Sequence, residues 1–215
     1  MAGGGSFVRN IAPILILFCT CALWAQARKE NDQLGLMLGV EFIPDHSTAM
    51  TPSVPIQIGN SEVFQLNFAH RLLGTNAQLW FEVPAAAGPS HSVRSADPST
   101  PNSLATFYVT PSFRVNFAAQ RTFSPWLSFG GGYVLFEGSE RLRNGFDNPD
   151  RFTSTGTLQF GGGIDIRTPI KIFLPIGLRG EVRDFYSFDT LEFATPIRGN
   201  RQHNVIVSGG FILRF

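Results

Sequence analysis

The sequence predicts an all-β fold: eight antiparallel strands running up and down into a closed barrel. Three observations predict it. Apolar residues recur with a period of two in eight separate stretches. Long and short connections alternate between those stretches. Beyond residue 27 no apolar run is long enough for a spanning helix, so any membrane crossing falls to strands. The closing stretch, His203 to Phe215, is the clearest: Phe215, Leu213, Phe211, Gly209, Val207 and Val205 make one face, and Arg214, Ile212, Gly210, Ser208, Ile206 and Asn204 the other.

The other strands follow in chain order. Gln33 to Ile43 sets Leu34, Leu36, Leu38, Val40 and Phe42 against Gly35, Met37, Gly39 and Glu41. Pro44, Pro52, Pro55 and Gly59-Asn60 mark residues 44 to 61 as a long loop. Glu62 to Arg71 places Phe64, Leu66 and Phe68 against Gln65 and Asn67, and a tight turn at Gly74 to Asn76 leads into Ala77 to Val83, where Leu79, Phe81 and Val83 oppose Gln78, Trp80 and Glu82. The Pro-, Ser- and Ala-rich residues 84 to 104 read as a second long loop. Ala105 to Phe117 alternates Phe107, Val109, Phe113, Val115 and Phe117 with Tyr108, Thr110, Ser112, Arg114 and Asn116. After the turn at 118 to 122, Phe123 to Phe136 carries Leu127, Phe129, Tyr133 and Leu135, and the charged residues 137 to 153 form the third loop. Thr155 to Arg167 and Ile172 to Tyr186 are joined by a turn at 168 to 170; Ser187 to Gln202 is the fourth loop.

Residues 1 to 27 have the pattern of a secretory signal: Arg9 as the sole charge, an apolar run from Ile11 to Ala25, and small residues at Ala25-Gln26-Ala27. Both cysteines, Cys19 and Cys21, lie inside it, so the barrel, Arg28 to Phe215, has no disulfide, thiolate metal site or cysteine nucleophile. Without Arg9 the basic and acidic residues balance at 16 each, which argues against a nucleic-acid partner.

Alternation does not say which face meets lipid. A soluble ligand-binding barrel also has eight strands, with its apolar face inside. Here the polar faces are charge-poor and Gly-rich at mid-strand, and their charges mix signs. The apolar faces carry almost none, as lipid contact requires, because a charge there costs ~2–4 kcal/mol at the midplane. The apolar faces therefore point outward. An eight-stranded barrel is only wide enough for its own side chains. Glu41, Glu82, Arg114, Asp165, Arg167, Arg179, Glu181, Arg183 and Arg214 are then expected to pair inside as a network that plugs the lumen, with a narrow polar channel as the competing arrangement.

Other signals carry less. Gly130 to Gly132 and Gly161 to Gly163 precede no helix, so they cradle no phosphate; they are expected to make room for Trp80 or Trp126 and to let the sheet bend. His46, His70, His91 and His203 show no spacing that sets up a catalytic triad, so no catalytic residue, metal site or cofactor is expected. Asp147, Asn148 and Asp150 could offer oxygens to a cation, and Arg141, Arg143 and Arg151 could meet lipopolysaccharide phosphates, though a solvated loop explains both. Pro111 and Pro175 fall within strands, where a bulge or broken ladder is expected.

On these residues the chain resembles the small eight-stranded outer-membrane barrels of the OmpA-like or OmpX-like type. The closing strand, with polar Ser208, then Gly210, Leu213 and terminal Phe215, resembles the signal read by the barrel-assembly machinery. The resemblance implies an integral, monomeric outer-membrane protein, with short periplasmic turns, long external loops, and contacts to the lipid bilayer and lipopolysaccharide. It carries over no active-site motif: the His-x-Ser-Asn pattern of lipid A deacylases and the Asp-x-His pair of outer-membrane proteases are missing. A structural or surface-interaction role is expected, with an OmpW-like channel for small or apolar solutes as the alternative and a surface lipid A-modifying enzyme as the third reading.

Overall fold

A computed structural model describes residues 31–171, 174–188, 198 and 201–215. The signal segment and most of the fourth loop lie outside these residues. Among the described residues eleven strands form: β1 (Asp32–Phe42), β2 (His46–Ser47), β3 (Pro55–Ile58), β4 (Ser61–Leu73), β5 (Gln78–Ser95), β6 (Ser103–Val109), β7 (Ser112–Asn116), β8 (Phe123–Gly138), β9 (Phe152–Lys171), β10 (Pro175–Ser187) and β11 (Gln202–Arg214). β6 and β7 are one wall strand in two pieces, both lying between β5 and β8. The wall therefore has eight positions, closed where β1 pairs antiparallel with β11 from Gln33↔Arg214 to Phe42↔Val205. One end of the barrel carries the short turns and the other the long loops.

The two faces meet two environments. Phe211, Leu38, Leu127 and Phe129 are more than half exposed on the outside, while Arg179, Glu181 and Arg183 are buried within. From Leu34 to Phe42, Leu79 to Ala87, Phe123 to Leu135 and Val205 to Leu213 the outward positions hold no Asp, Glu, Lys or Arg. Polar pairs frame this band: His70–Asp32 at 2.7 Å at the turn end, and His203–Asp184 at 2.7 Å and Arg151–Glu137 at 2.5 Å at the loop end. The 11 residues of β1 rise ~25 Å at ~3.3 Å each with the ~45° tilt usual in such barrels, the height of a transmembrane apolar band.

Two expectations need correction. Residues 84 to 104 are not a loop, since β5 continues to Ser95. Its inward alternation persists through Ala86, Gly88, His91 and Val93, and Pro89 is accommodated at a register shift between Gly88 and His91. Residues 44 to 61 contain the β2–β3 hairpin, which pairs with the extension of β5 at Ile56↔Ser95 to Ile58↔Val93. The loop end is thus a β-structured cap, with Ile43, Ile56, Ile58, Val93 and Leu104 as its apolar interior.

Pro111 and Pro175, the prolines expected to interrupt strands, behave as their missing N–H dictates. The strand breaks between Val109 and Ser112 at Pro111, and the β9–β10 register shifts between Pro175 and Gly177. Pro84 lies beside the first break. Thr110 donates its N–H to Pro84 O at 3.2 Å and Gly131 donates to Pro111 O at 3.1 Å, but neither proline can return a bond. Two half-made rungs thus lie side by side in the wall.

Candidate functional site in the barrel lumen

Six of the nine charged residues converge at mid-lumen. Glu82 on β5 is the hub: Arg114 of β7 lies 2.8 Å away, Arg179 of β10 3.5 Å, and Arg183 of β10 donates to its other oxygen. Arg183 also reaches Glu181 at 2.7 Å, and Arg179 Nε reaches Asp165 Oδ1 at 2.7 Å. Three carboxylates thus face three guanidiniums, all buried. Trp126 lies among them, with the guanidinium carbons of Arg179, Arg183 and Arg114 at 5.1, 5.2 and 5.6 Å from its ring centroid. Its indole N–H donates to Asp165 at 3.1 Å. Gly163 makes room for the ring, since a Cβ there would lie 2.7 Å from Cζ2.

Neutral side chains complete the network. Gln65 donates to Glu181 at 2.5 Å, Gln33 Oε1 accepts from Arg114 at 2.6 Å and from Arg179 at 3.2 Å, and Asn116 donates to Asp165 at 3.3 Å. These residues were not singled out from sequence. The available signal was their position: each shares the inward parity of a charged residue on its own or a paired strand.

The remaining three charges sit apart. Arg214 lies 4.0 Å from Asp165, at the turn-end fringe. Arg167 is half-buried at that mouth and makes no ion pair among the described residues. Glu41 belongs to a second cluster nearer the loop end, where it pairs with His91 at 3.1 Å and accepts from Thr106 at 2.6 Å and from the Tyr108 hydroxyl. His91 Nδ1 lies 2.8 Å from Gly59 O. A carbonyl only accepts, so Nδ1 is the donor in that contact. Gly88 leaves the space, as a Cβ there would lie 2.6 Å from both Glu41 Oε2 and Thr106 Oγ1.

Toward the loop end the lumen turns apolar. Tyr108 stacks on Phe185 at 4.4 Å and meets Phe136 edge-on at 6.5 Å, packed with Val134, Val63 and Ile206. The lumen is therefore ionic at mid-height, and above it apolar side chains pack around the Glu41–His91 pair, an upper filling not foreseen from the sequence.

In the closing strand, Ser208 is buried 3.4 Å from Glu181 and Gly210 pairs with Met37 and Arg179. Leu213 faces outward opposite Leu34 and Ile176, and Phe215 exchanges backbone hydrogen bonds with Asp32 at 2.9 and 3.0 Å. The loop candidates make local contacts. Asn148 accepts the Asp150 N–H at 3.2 Å and donates to Ser139 O at 3.1 Å, and Asp147 bridges Arg141 through the backbone. Arg143 donates to Val93 O, and Arg151 is paired with Glu137.

No protein-family model and no curated protein matches the sequence. Solved structures do match, at low identity. Outer membrane protein OprG from Pseudomonas aeruginosa superposes with a TM-score of 0.59 at 14% identity, over 88% of this chain and 98% of that one. Neisserial surface protein A, NspA, gives 0.54 at 12%, over 87% and 98%. Outer membrane protein AlkL, solved by solid-state NMR in DMPC lipid bilayers, gives 0.52 at 15%, over 89% and 93%. At such identities the likeness speaks to shape. The chain has the all-β, antiparallel eight-stranded fold of small outer-membrane barrels.

Proposed function

We propose that the chain is an integral outer-membrane barrel with a closed lumen and a structural or surface-contact role exercised through its β-structured cap. The observations that support this reading are the side chains that occupy the lumen, the ion network around Glu82 and the Tyr108–Phe185 stack. Paired charges of this density hold the wall strands together rather than leave a water path. The uncharged outward band supports the bilayer placement, with the turn end in the periplasm and the cap outside among lipopolysaccharide. Ser208, Gly210, Leu213 and Phe215 serve in this reading as the signal for the barrel-assembly machinery, and the barrel acts as a monomer without cofactor or metal. A non-enzymatic role is supported by the histidines. His91 is fully buried beside hydroxyls already donating to Glu41, and His70 and His203 face outward at the edges of the apolar band. Planar-bilayer recording tests the closed lumen: the reading expects no stable open-channel current, and steady conductance of porin size overturns it.

A second reading, passage of an apolar solute through the wall, is favoured by one specific observation. Beside the half-made rungs at Pro84 and Pro111 runs an outward groove of about 510 Å³, lined by Leu36, Phe64, Ala85, Ala87, Phe107 and Phe211. Uptake of an apolar dye into proteoliposomes, lost on Ala87→Trp, would favour this route over the structural role.

A further inference from the structure

We propose that the turn-end mouth of the lumen binds an oxyanion group, a carboxylate or a phosphate, presented from that side. The mouth is a polar pocket of about 20 Å³ lined by Arg71, Arg167, Arg214, Gln33, Gln78 and Trp80, with Asp165 at its inner wall. That volume admits roughly one water-sized group. The pocket is open outward, so it takes a single oxyanion head while the rest of the ligand stays in solvent.

Three features assign the sign of the ligand. The pocket wall holds three guanidiniums against one carboxylate. That carboxylate is already engaged, at 2.7 and 2.9 Å by Arg179, at 3.1 Å by Trp126 and at 4.0 Å by Arg214, so it has little left for Arg71 and Arg167. The Trp80 indole N–H and the Arg167 Nε–H are buried donors without an acceptor among the described residues, and Trp80 is only 3% exposed. Buried donors of this kind are costly unless met, and an oxyanion meets both with charge-assisted bonds. The mid-lumen network has matched its own charges, so the mouth is a separate site on the same axis.

The test is NMR of the folded protein in detergent micelles, following indole N–H resonances assigned with Trp80→Phe. Sodium phosphate or sodium acetate is titrated at constant ionic strength, with sodium chloride as the reference anion. The proposal expects the Trp80 resonance to move saturably, and the midpoint to rise at least tenfold in Arg167→Gln, with Arg71→Gln weakening it less. Saturation by acetate alone assigns a carboxylate ligand, and by phosphate alone a phosphoryl ligand. An equal response to chloride, a response that never saturates, or an unchanged midpoint in Arg167→Gln overturns the site. Arg167 makes no ion pair with the mid-lumen network, and retention of the folded gel band shows that the variant barrel is intact. The measurement does not depend on whether the lumen conducts.

Discussion

Glu82→Ala is the perturbation to which the lumen should respond most strongly. It removes the one carboxylate that Arg114, Arg179 and Arg183 share, leaving three buried guanidiniums to two carboxylates. Breaking a buried ion pair from one side costs ~3–5 kcal/mol, chiefly because the partner stays buried and unmet. Here Arg114 is the residue stranded. Among the described residues it has no other carboxylate within ion-pairing distance, whereas Arg179 keeps Asp165 and Arg183 keeps Glu181. Glu82→Gln keeps the volume and one acceptor oxygen, so it should cost less, ~2 kcal/mol, in the range of a hydrogen bond to a charged group. Urea unfolding in micelles, followed through tryptophan emission, measures both. A double-mutant cycle of Glu82→Ala with Arg183→Ala should show a coupling of ~1–3 kcal/mol, the two losses together being smaller than their sum. A loss under ~1 kcal/mol for Glu82→Ala, or strict additivity in the cycle, would refute the reasoning.

Other outcomes follow from the same geometry. Gly163→Leu drives a side chain into Trp126 and should cost ~1–3 kcal/mol by overpacking, with a shift in tryptophan emission as its signature. Leu38→Arg, on the outward face at 62% exposure, should cost ~2–4 kcal/mol in a bilayer; a neutral result in lipid vesicles would argue against lipid contact there. At the cap, burial lowers the pKa of His46 below the ordinary imidazole value, outweighing the opposing effects of its hydrogen bond to Gln202 and the charge of Asp45. The folded value being the lower one, this contribution is full above the ordinary histidine range and fades as pH falls through the depressed value. Amide exchange in β2 and β3, corrected for intrinsic rates, should therefore quicken on acidification, and unaltered protection between neutral and acid pH would contradict this.

The strands were legible because each wall residue meets one of two unlike surroundings, and a period of two records that directly in Leu34 to Phe42 or Val205 to Phe215. The membership of Glu82, Arg114, Asp165, Arg179, Glu181 and Arg183 in one face was legible for the same reason. Their partners were not, since pairing depends on how strand stagger brings β5, β7, β9 and β10 to a common height. Glu41 illustrates this, as its partner His91 lies on an extension of β5 that Pro84, Pro89 and a run of alanines disguise as a loop. Composition misled because those residues disfavour strands exposed to water, whereas here the barrel and the cap hold them in register. The β2–β3 hairpin was hidden by its brevity, four residues in β3 and two in β2.

The most direct measurement of the central claim is the accessibility of nitroxide spin labels on single cysteines in reconstituted vesicles. Labels at Leu38, Phe129 and Phe211 should collide with dissolved oxygen and be shielded from a water-soluble nickel complex, as side chains among acyl chains are. A label at Ser128, on the inward parity of β8, should meet neither. Nickel access at the three outward positions equal to that of a water-exposed site would contradict the account.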